Sequence, residues 1–359
     1  MHGRRYDEQE TSVPASQSSG FMMTRRSLAL SGWIGIWELS LLVLVIVALV
    51  GGSLVSPFFL TADNFAITAA RATGTGLMVL PMMWLMIAGE IDLSVASIFG
   101  LTGVIFGLAF ESGFGLAGAF VLAMAVGGFA GLINAFFSVV IGLPSLIVTV
   151  GTLSVYRGLS FVLLESRSIS DFPDGFTEFT QGNLTGTAIP YTFLVFLLAA
   201  VVSGVLLQRG VVGRKTYAIG SSPEVSRFSG IRVKRIKASL FVISGLVASL
   251  AGILFSGYVS SARATNGLGL ELTVIAIVLI GGASIYGGEG KFLGVLLSLV
   301  LVTAITSVMT LQFITTDIQN MVIGLLMAGA VVVPGVAARL RDWSRLWRKP
   351  KPTADHPGS

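Results

Sequence analysis

The chain has 359 residues, 53% of them hydrophobic and only 11% charged, where soluble domains carry about a quarter charged residues. That balance excludes an ordinary water-soluble enzyme, and apolar stretches of the ~20 residues needed to cross a bilayer recur throughout the chain. The net charge of +5 does not point to nucleic acid, because the basic residues cluster between apolar runs and at the two ends, and the lack of cysteine removes disulfide and thiolate-metal chemistry.

Residues 1–32 carry Arg4, Arg5, Arg25 and Arg26 among Ser, Gln, Asp and Glu with no long apolar run, and read as a disordered cytoplasmic tail. Ten apolar segments follow, at about 34–55, 66–88, 94–110, 115–140, 145–165, 190–208, 238–260, 271–284, 291–311 and 318–338. The expected fold class is therefore all-α, a polytopic transmembrane helical bundle of about ten spans with the N and C termini cytoplasmic. The membrane domain is expected at 33–338 and a basic cytoplasmic tail at 339–359. Charge sets the orientation: of 23 Lys and Arg residues, four lie in the N-terminal tail, eight in 209–237 and six after residue 338. The expected exterior receives only Arg167 and Arg263. In the last tail, Arg339, Arg341, Arg345, Arg348, Lys349 and Lys351 flank Trp343 and Trp347 and suit an anionic leaflet surface.

Along the chain, AGEIDLSVASIFGLTG (88–103) interrupts an apolar stretch with Glu90 and Asp92 just before Ser94. Two readings fit: a short cytoplasmic turn with Asp92 capping the next helix, or carboxylates facing a solute path. Many of the 44 glycines sit inside spans, Gly103, Gly107, Gly127 and Gly131 among them, and imply closely packed helices. Polar residues within spans are Arg71, Asn134, Tyr156, Arg157 and Gln319. Arg157 is either paired or solvated inside the bundle, or it snorkels to the interface. The longest external loop, 166–190, carries Asp171, Asp174 and Glu178 with Pro173, Gly175, Gly182 and Gly186, and is expected to be irregular.

The cytoplasmic stretch 209–237 contains GRKTYAIGSSPEVSRFSGIRVKRIK. Here Ser222 suits an N-cap, Pro223 the first helical position, Glu224 the positive helix end and Gly230 the C-terminal stop. A short, well-bounded helix outside the bilayer follows, and charge alone would equally suit a loop that only fixes topology. In IVLIGGASIYGGEGKFLG (277–294), paired glycines permit a broken span. Its GEGK is no nucleotide loop, because Ile285 and Phe292 stand where Gly and Ser or Thr are needed. The two histidines, His2 and His356, lie in the tails, so no catalytic, metal or cofactor constellation is expected in this chain. Asp92, Ser94, Asn134, Arg157, Gly281, Gly282 and Ser284 are the candidates for a solute path.

GEIDLSVASIFGLTG, GLINAFFSVVIGLPSLIVTVGTLSVYRGLSFVL, YAIGSSPEVSRFSGIRVKRIKASLFVISGLVASLAGIL and IAIVLIGGASIYGGEGKFLGVLL, in order over about residues 37–333, resemble the permease of ribose-type bacterial ATP-binding-cassette sugar importers. YVSSARATNGLG, GGASIYGGEG and FPDGFTEF are most similar to the autoinducer-2 and rhamnose permeases. Glu90 departs from the Gly more usual there. The resemblance implies a non-catalytic, multi-pass protein of the bacterial inner membrane that imports a monosaccharide or sugar-like molecule. Its implied partners are a second permease subunit, identical or related, two cytoplasmic ATP-binding subunits that carry ATP and Mg, and a periplasmic substrate-binding protein. It also implies that AIGSSPEVSRFSGI docks into the ATPase, which makes Ser222, Pro223, Glu224, Arg227, Phe228 and Gly230 the coupling candidates. The rival class, an ion-coupled secondary transporter, needs a carboxylate deep in a span, and Glu90, Asp92 and Glu271 fall near expected span ends.

Overall fold

Each of the ten apolar segments coincides with a helix in the computed structural model, which describes residues 35–165 and 167–347. The expected tail 1–32 and the last part of the tail, 348–359, lie outside the described residues. In chain order the helices are α1 (Ile36–Val55), α2 (Ala62–Ile87), α3 (Val95–Glu111), α4 (Gly115–Ala135, continued by a π turn at Phe136–Ile141), α5 (Ser145–Leu164), α6 (Asp174–Gln181) and α7 (Tyr191–Gln208). They continue with α8 (Val211–Ser221), α9 (Pro223–Phe228), α10 (Val233–Tyr258), α11 (Leu270–Ile280), α12 (Phe292–Leu311) and α13 (Thr316–Trp347). Beside them, the described residues form two isolated antiparallel bridges, Ile169 with Ala262 and Asn183 with Pro190.

Among the described residues seven helices are long and apolar enough to cross a membrane: α1, α2, α4 with its π turn, α5, α7, α10 and α12. Their surroundings differ. α2 is largely enclosed, whereas α1, α5 and α7 leave most of their apolar side chains uncovered, as helices at a lipid-facing rim do. α10 is the hub, packed against α2, α3 and α4. Its contact with α4 is made by glycines: a Cβ at Gly127 would lie 2.6 Å from the Gly245 carbonyl oxygen, and one at Gly131 would lie 2.9 Å from Val242 Cα. The Ser249 hydroxyl donates across the same seam to the Ala123 carbonyl at 2.9 Å. Without a hydrophobic drive between helices in lipid, close backbone approach of this kind supplies the packing energy.

Three regions differ from the sequence reading. The expected span at 271–284 is the shorter α11, which stops at Ile280 because Gly281 and Gly282 turn the chain, with Gly282 at φ 88°. The external loop is not irregular throughout: α6 forms within it, because Phe172 and Phe176 pack on Phe106 at ring-centroid distances of 5.6 and 5.1 Å. Finally, α13 continues as helix beyond residue 338 to Trp347.

Replacing Gly131 with Leu forces a side chain into the α4–α10 seam, and overpacking of this type costs about 1–3 kcal/mol. The expected outcome is a lower thermal midpoint and less monodisperse protein in detergent, whereas Gly151→Leu, where a Cβ meets open space, leaves both unchanged in size-exclusion and thermal-shift measurements.

Candidate functional site

The short helix expected from its capping residues forms where the sequence places it. The Ser222 side chain accepts from the Val225 backbone N–H at 3.3 Å, Pro223 starts the helix, Glu224 lies in its first turn and Arg227 in its last. Gly230, at φ 79°, ends it, with Gly230 N–H donating to the Arg227 carbonyl and Ile231 N–H to the Ser226 carbonyl. Only Ser226 points inward, so Glu224, Val225, Arg227 and Phe228 stand in solvent. Phe228 is 85% exposed, with the Arg227 guanidinium 5.7 Å from its ring centroid. A short capped helix displaying an uncovered aromatic ring has the character of a contact surface.

That helix is fixed to the bundle through α8, an element absent from the sequence reading. Gly220 near the end of α8 packs directly on the Ile87 carbonyl and Gly288 N, and Gly288 N–H donates to the same Ile87 carbonyl at 2.8 Å. A side chain at residue 220 has no room. The Tyr217 hydroxyl donates to the Gly290 carbonyl at 2.6 Å, and burial pushes its pKa above the ordinary phenol value, so it stays a donor. Beside this latch, Lys237 at the start of α10 bonds Glu90 at 2.6 Å, with both side chains mostly buried. α8, the turn after α2 and the turn after α11 thus meet at one point. Ser284 lies in that last turn, its backbone N–H donating to the Glu289 carbonyl. Gly281 packs on Val295 and Gly282 on Trp37, whose indole donates to the Ile280 carbonyl at 3.0 Å.

Asp92, Ser94 and Asn134 are brought together, fully buried. One Asp92 oxygen accepts from the Ser94 N–H and hydroxyl at 3.0 and 2.6 Å, and the other accepts from Ser244 on α10 at 2.9 Å. Asn134 on α4 donates to Ser94 at 2.7 Å and accepts from Thr152 on α5 at 2.8 Å. This network joins α4, α5 and α10 to the start of α3. None of its three sequence-selected members lines a described cavity. A buried carboxylate with three donors is a joint, since each bond is stronger away from water and costly to leave unmade.

Arg157 sits apart from that network and is paired. Its guanidinium donates to three backbone carbonyls, Asn266 at 2.7 Å, Ala264 at 3.1 Å and Ala96 at 3.3 Å. The segment it holds runs down α3 from Ala262, beside Gly107, to Asn266, beside Gly100. At 1.5 Å per helical residue that descent is about 10 Å, and α11 adds about 16 Å. The segment is a run of turns that leads directly into the short helix. Irregular backbone at such depth is tolerated where protein buries it or a cavity receives it, and here Thr265, Asn266 and Gly267 line a cavity of 280 Å³. A neighbouring cavity of 480 Å³ opens between α2, α10, α11, α12 and α13, and Arg71 and Thr75 line both.

The expected glycine-rich break is present between α11 and α12, and a second irregular segment, missed in the sequence, precedes α11. Its sequence signal is the run TNGLG at 265–269, with Gly267 and Gly269 at φ 79° and 80°. The cavity's signal is helical spacing: Asn64, Thr68, Arg71 and Thr75 recur at intervals of four, three and four along α2.

Residues 64–331 match the family described as "Branched-chain amino acid transport system / permease component". The chain is 29% identical over 322 residues to the autoinducer 2 import system permease protein LsrD of Photorhabdus laumondii, covering 87% of this chain and 96% of that one. It is 28% identical over 316 residues to the proteins of the same name from Escherichia coli K12 and Shigella flexneri, covering 86% of this chain and 95% of each. No solved structure matches.

Replacing Arg157 with Leu removes every bond that ties the re-entrant segment to α5 and leaves buried carbonyls unmet, at about 1–3 kcal/mol each. With no native cysteine, a single Thr265→Cys reporter is available. Its maleimide labelling is expected to rise severalfold in the Arg157→Leu background and to stay unchanged in a Ser154→Ala background.

Proposed function

The chain belongs to the family of branched-chain amino acid transport system permease components, and from that membership we propose that it is the ten-span permease of a bacterial ATP-binding-cassette importer. Its solute in this reading is a monosaccharide or sugar-like small molecule, of the class that includes ribose, rhamnose and autoinducer 2. Relatives aligned along nearly the whole chain are named for autoinducer 2 import, which favours that solute class over the amino acids in the family's description. The chain makes and breaks no covalent bond. ATP and Mg belong to two cytoplasmic partner subunits, a second permease subunit completes the path, and a periplasmic binding protein delivers the solute. Residues 1–32 and the stretch after residue 338 lie on the cytoplasmic side of the inner membrane.

The observation that carries this reading is α9. It is capped at both ends, exposes Glu224, Arg227 and Phe228, and follows directly on α8, which is latched to the turns after α2 and α11. Ser222, Pro223 and Gly230 hold the helix in shape; Glu224, Arg227 and Phe228 meet the ATPase. When the ATPases close on ATP, a push on α9 passes through Gly220 and Tyr217 to the ends of two membrane helices. Asp92, Ser94 and Asn134 keep α3, α4, α5 and α10 moving as one block. Arg157 positions the re-entrant segment along the path, and Gly281, Gly282 and Ser284 form the cytoplasmic turn that the latch moves. An ion-coupled carrier is the second reading, and one feature favours it: Glu271 lies in the first turn of α11, directly after the re-entrant segment.

The test uses the chain with its ATPase and binding-protein partners in proteoliposomes. Glu224→Lys reverses a charge on the exposed helix and is expected to lower ATP-driven uptake at least about tenfold, the scale of a lost interfacial charge contact, while insertion and solute-independent ATP hydrolysis persist. Unchanged uptake with normal ATPase binding overturns the coupling role. Uptake that follows an imposed proton gradient in the absence of ATP favours the carrier.

A further inference from the structure

We infer that the cavity between α2, α10, α11, α12 and α13 binds a hydroxyl-rich small molecule that carries an oxyanion, with Arg71 as the group that receives the charge. The inference rests on the import reading above and narrows its substrate class.

Three helices turn polar stripes toward this space. α2 contributes Asn64, Thr68, Arg71 and Thr75, α12 contributes Thr303, Thr306, Ser307 and Thr310, and α13 contributes Thr316, Gln319 and Asn320. The spacing in each stripe follows the helical repeat, so each lies on one face. At 480 Å³ the cavity is in the range of small-molecule sites. Part of the lining is already ordered: Asn64 donates to Ser307 at 3.1 Å, the Thr68 and Ser307 hydroxyls are 3.0 Å apart, and Gln319 donates to the Ile314 carbonyl at 2.9 Å. Hydroxyls and amides held in place present both donors and acceptors, which is the complement of a polyol.

Arg71 makes the cavity selective. It lies far from both ends of α2 and lines this space and the 280 Å³ cavity beside it. Among the described residues it has no hydrogen bond and no ion pair. Arg157, the other arginine within a span, is satisfied by three carbonyls. Glu271 in the first turn of α11 and Asp317 in the first turn of α13 line neither cavity. A guanidinium at membrane depth is costly unless water or an anion meets it. No hydroxyl of the described lining is hydrogen-bonded to it, and a carboxylate or phosphate on the solute both solvates and neutralises the charge through the paired donors of the guanidinium fork.

The experiment uses the full-length chain assembled with its ATPase partners in nanodiscs and measures equilibrium binding of radiolabelled ribose, ribonate and ribose 5-phosphate. A sugar acid or sugar phosphate is expected to bind at least about tenfold more tightly than ribose, the scale of a charge-assisted bond. Whichever acid binds tighter identifies the oxyanion. Inorganic phosphate, which lacks the hydroxyls, is expected to compete weakly. Arg71→Gln should bring the acids to the affinity of ribose, and Arg71→Lys should restore part of the difference. Equal binding of ribose and both acids by the unaltered chain overturns the inference, as does a preference that survives Arg71→Gln. ATP-driven uptake by the unaltered complex is scored separately: its absence removes the import reading, and uptake without acid preference removes only this one.

Discussion

The guanidinium of Arg157 is the constraint on which the inner part of the molecule depends. A chain that leaves regular helix inside a membrane exposes backbone carbonyls that lipid cannot satisfy, and Arg157 takes up two of them in the segment after α10 and a third at the start of α3. Its fork geometry suits this task, since a lysine ammonium offers no fixed plane of donors. With the segment held against α3, the irregular chain at 261–269 runs directly into α11, which is only Leu270–Ile280. The same arrangement opens the space that Arg71 and the polar face of α2 border.

Around this feature the bundle spends its few internal charges on fixing geometry. Asp92 is held by Ser94 and Ser244, Glu90 by Lys237, and Glu38 by Lys291 at 3.0 Å. Burial makes the Asp92 and Glu90 bonds costly to lose, while Lys291 reaches the buried Glu38 from a half-exposed position. The glycine seam between α4 and α10 acts in the same direction, since backbones in contact cannot slide without a clash.

Much of this was legible in the sequence, for identifiable reasons. Apolar helices announce themselves by length and apolarity, so each of the ten segments coincides with a helix, seven of the described helices being long and apolar enough to cross a membrane. α9 was found because capping is local chemistry: Ser222, Pro223 and Gly230 act within a few residues of themselves. Asp92 as a local cap and Arg157 as a paired guanidinium were among the readings, but their partners Ser244 and Asn266 were not, because they lie about a hundred or more residues away in the chain and single-sequence patterns carry no such pairing. The irregular segment before α11 was missed for a related reason. Glycine pairs at 281–282 and 287–288 marked the break between α11 and α12, whereas the segment at 261–269 is held by Arg157, far away in the chain.

Two helices connect the cavity to the cytoplasmic latch. α2 lines the cavity from Asn64 to Thr75 and ends at Ile87, whose carbonyl receives Gly288 N–H and touches Gly220. α11 borders the cavity at Leu270 and Thr273, and its far end leads into the turn that Tyr217 holds through Gly290. A helix transmits displacement along its axis through its hydrogen-bonded turns, and α2 is about 38 Å long at 1.5 Å per residue, with Pro81 removing one N–H from its ladder between the cavity and Ile87. Movement of α8 therefore reaches both walls of the cavity at once without passing through any flexible loop. In the proposed importer this geometry answers how a push on an exposed six-residue helix can alter a site across the bilayer: α9 need only shift the joint at Gly220, and the rigid members α2 and α11 carry the shift to the cavity that Arg71 lines.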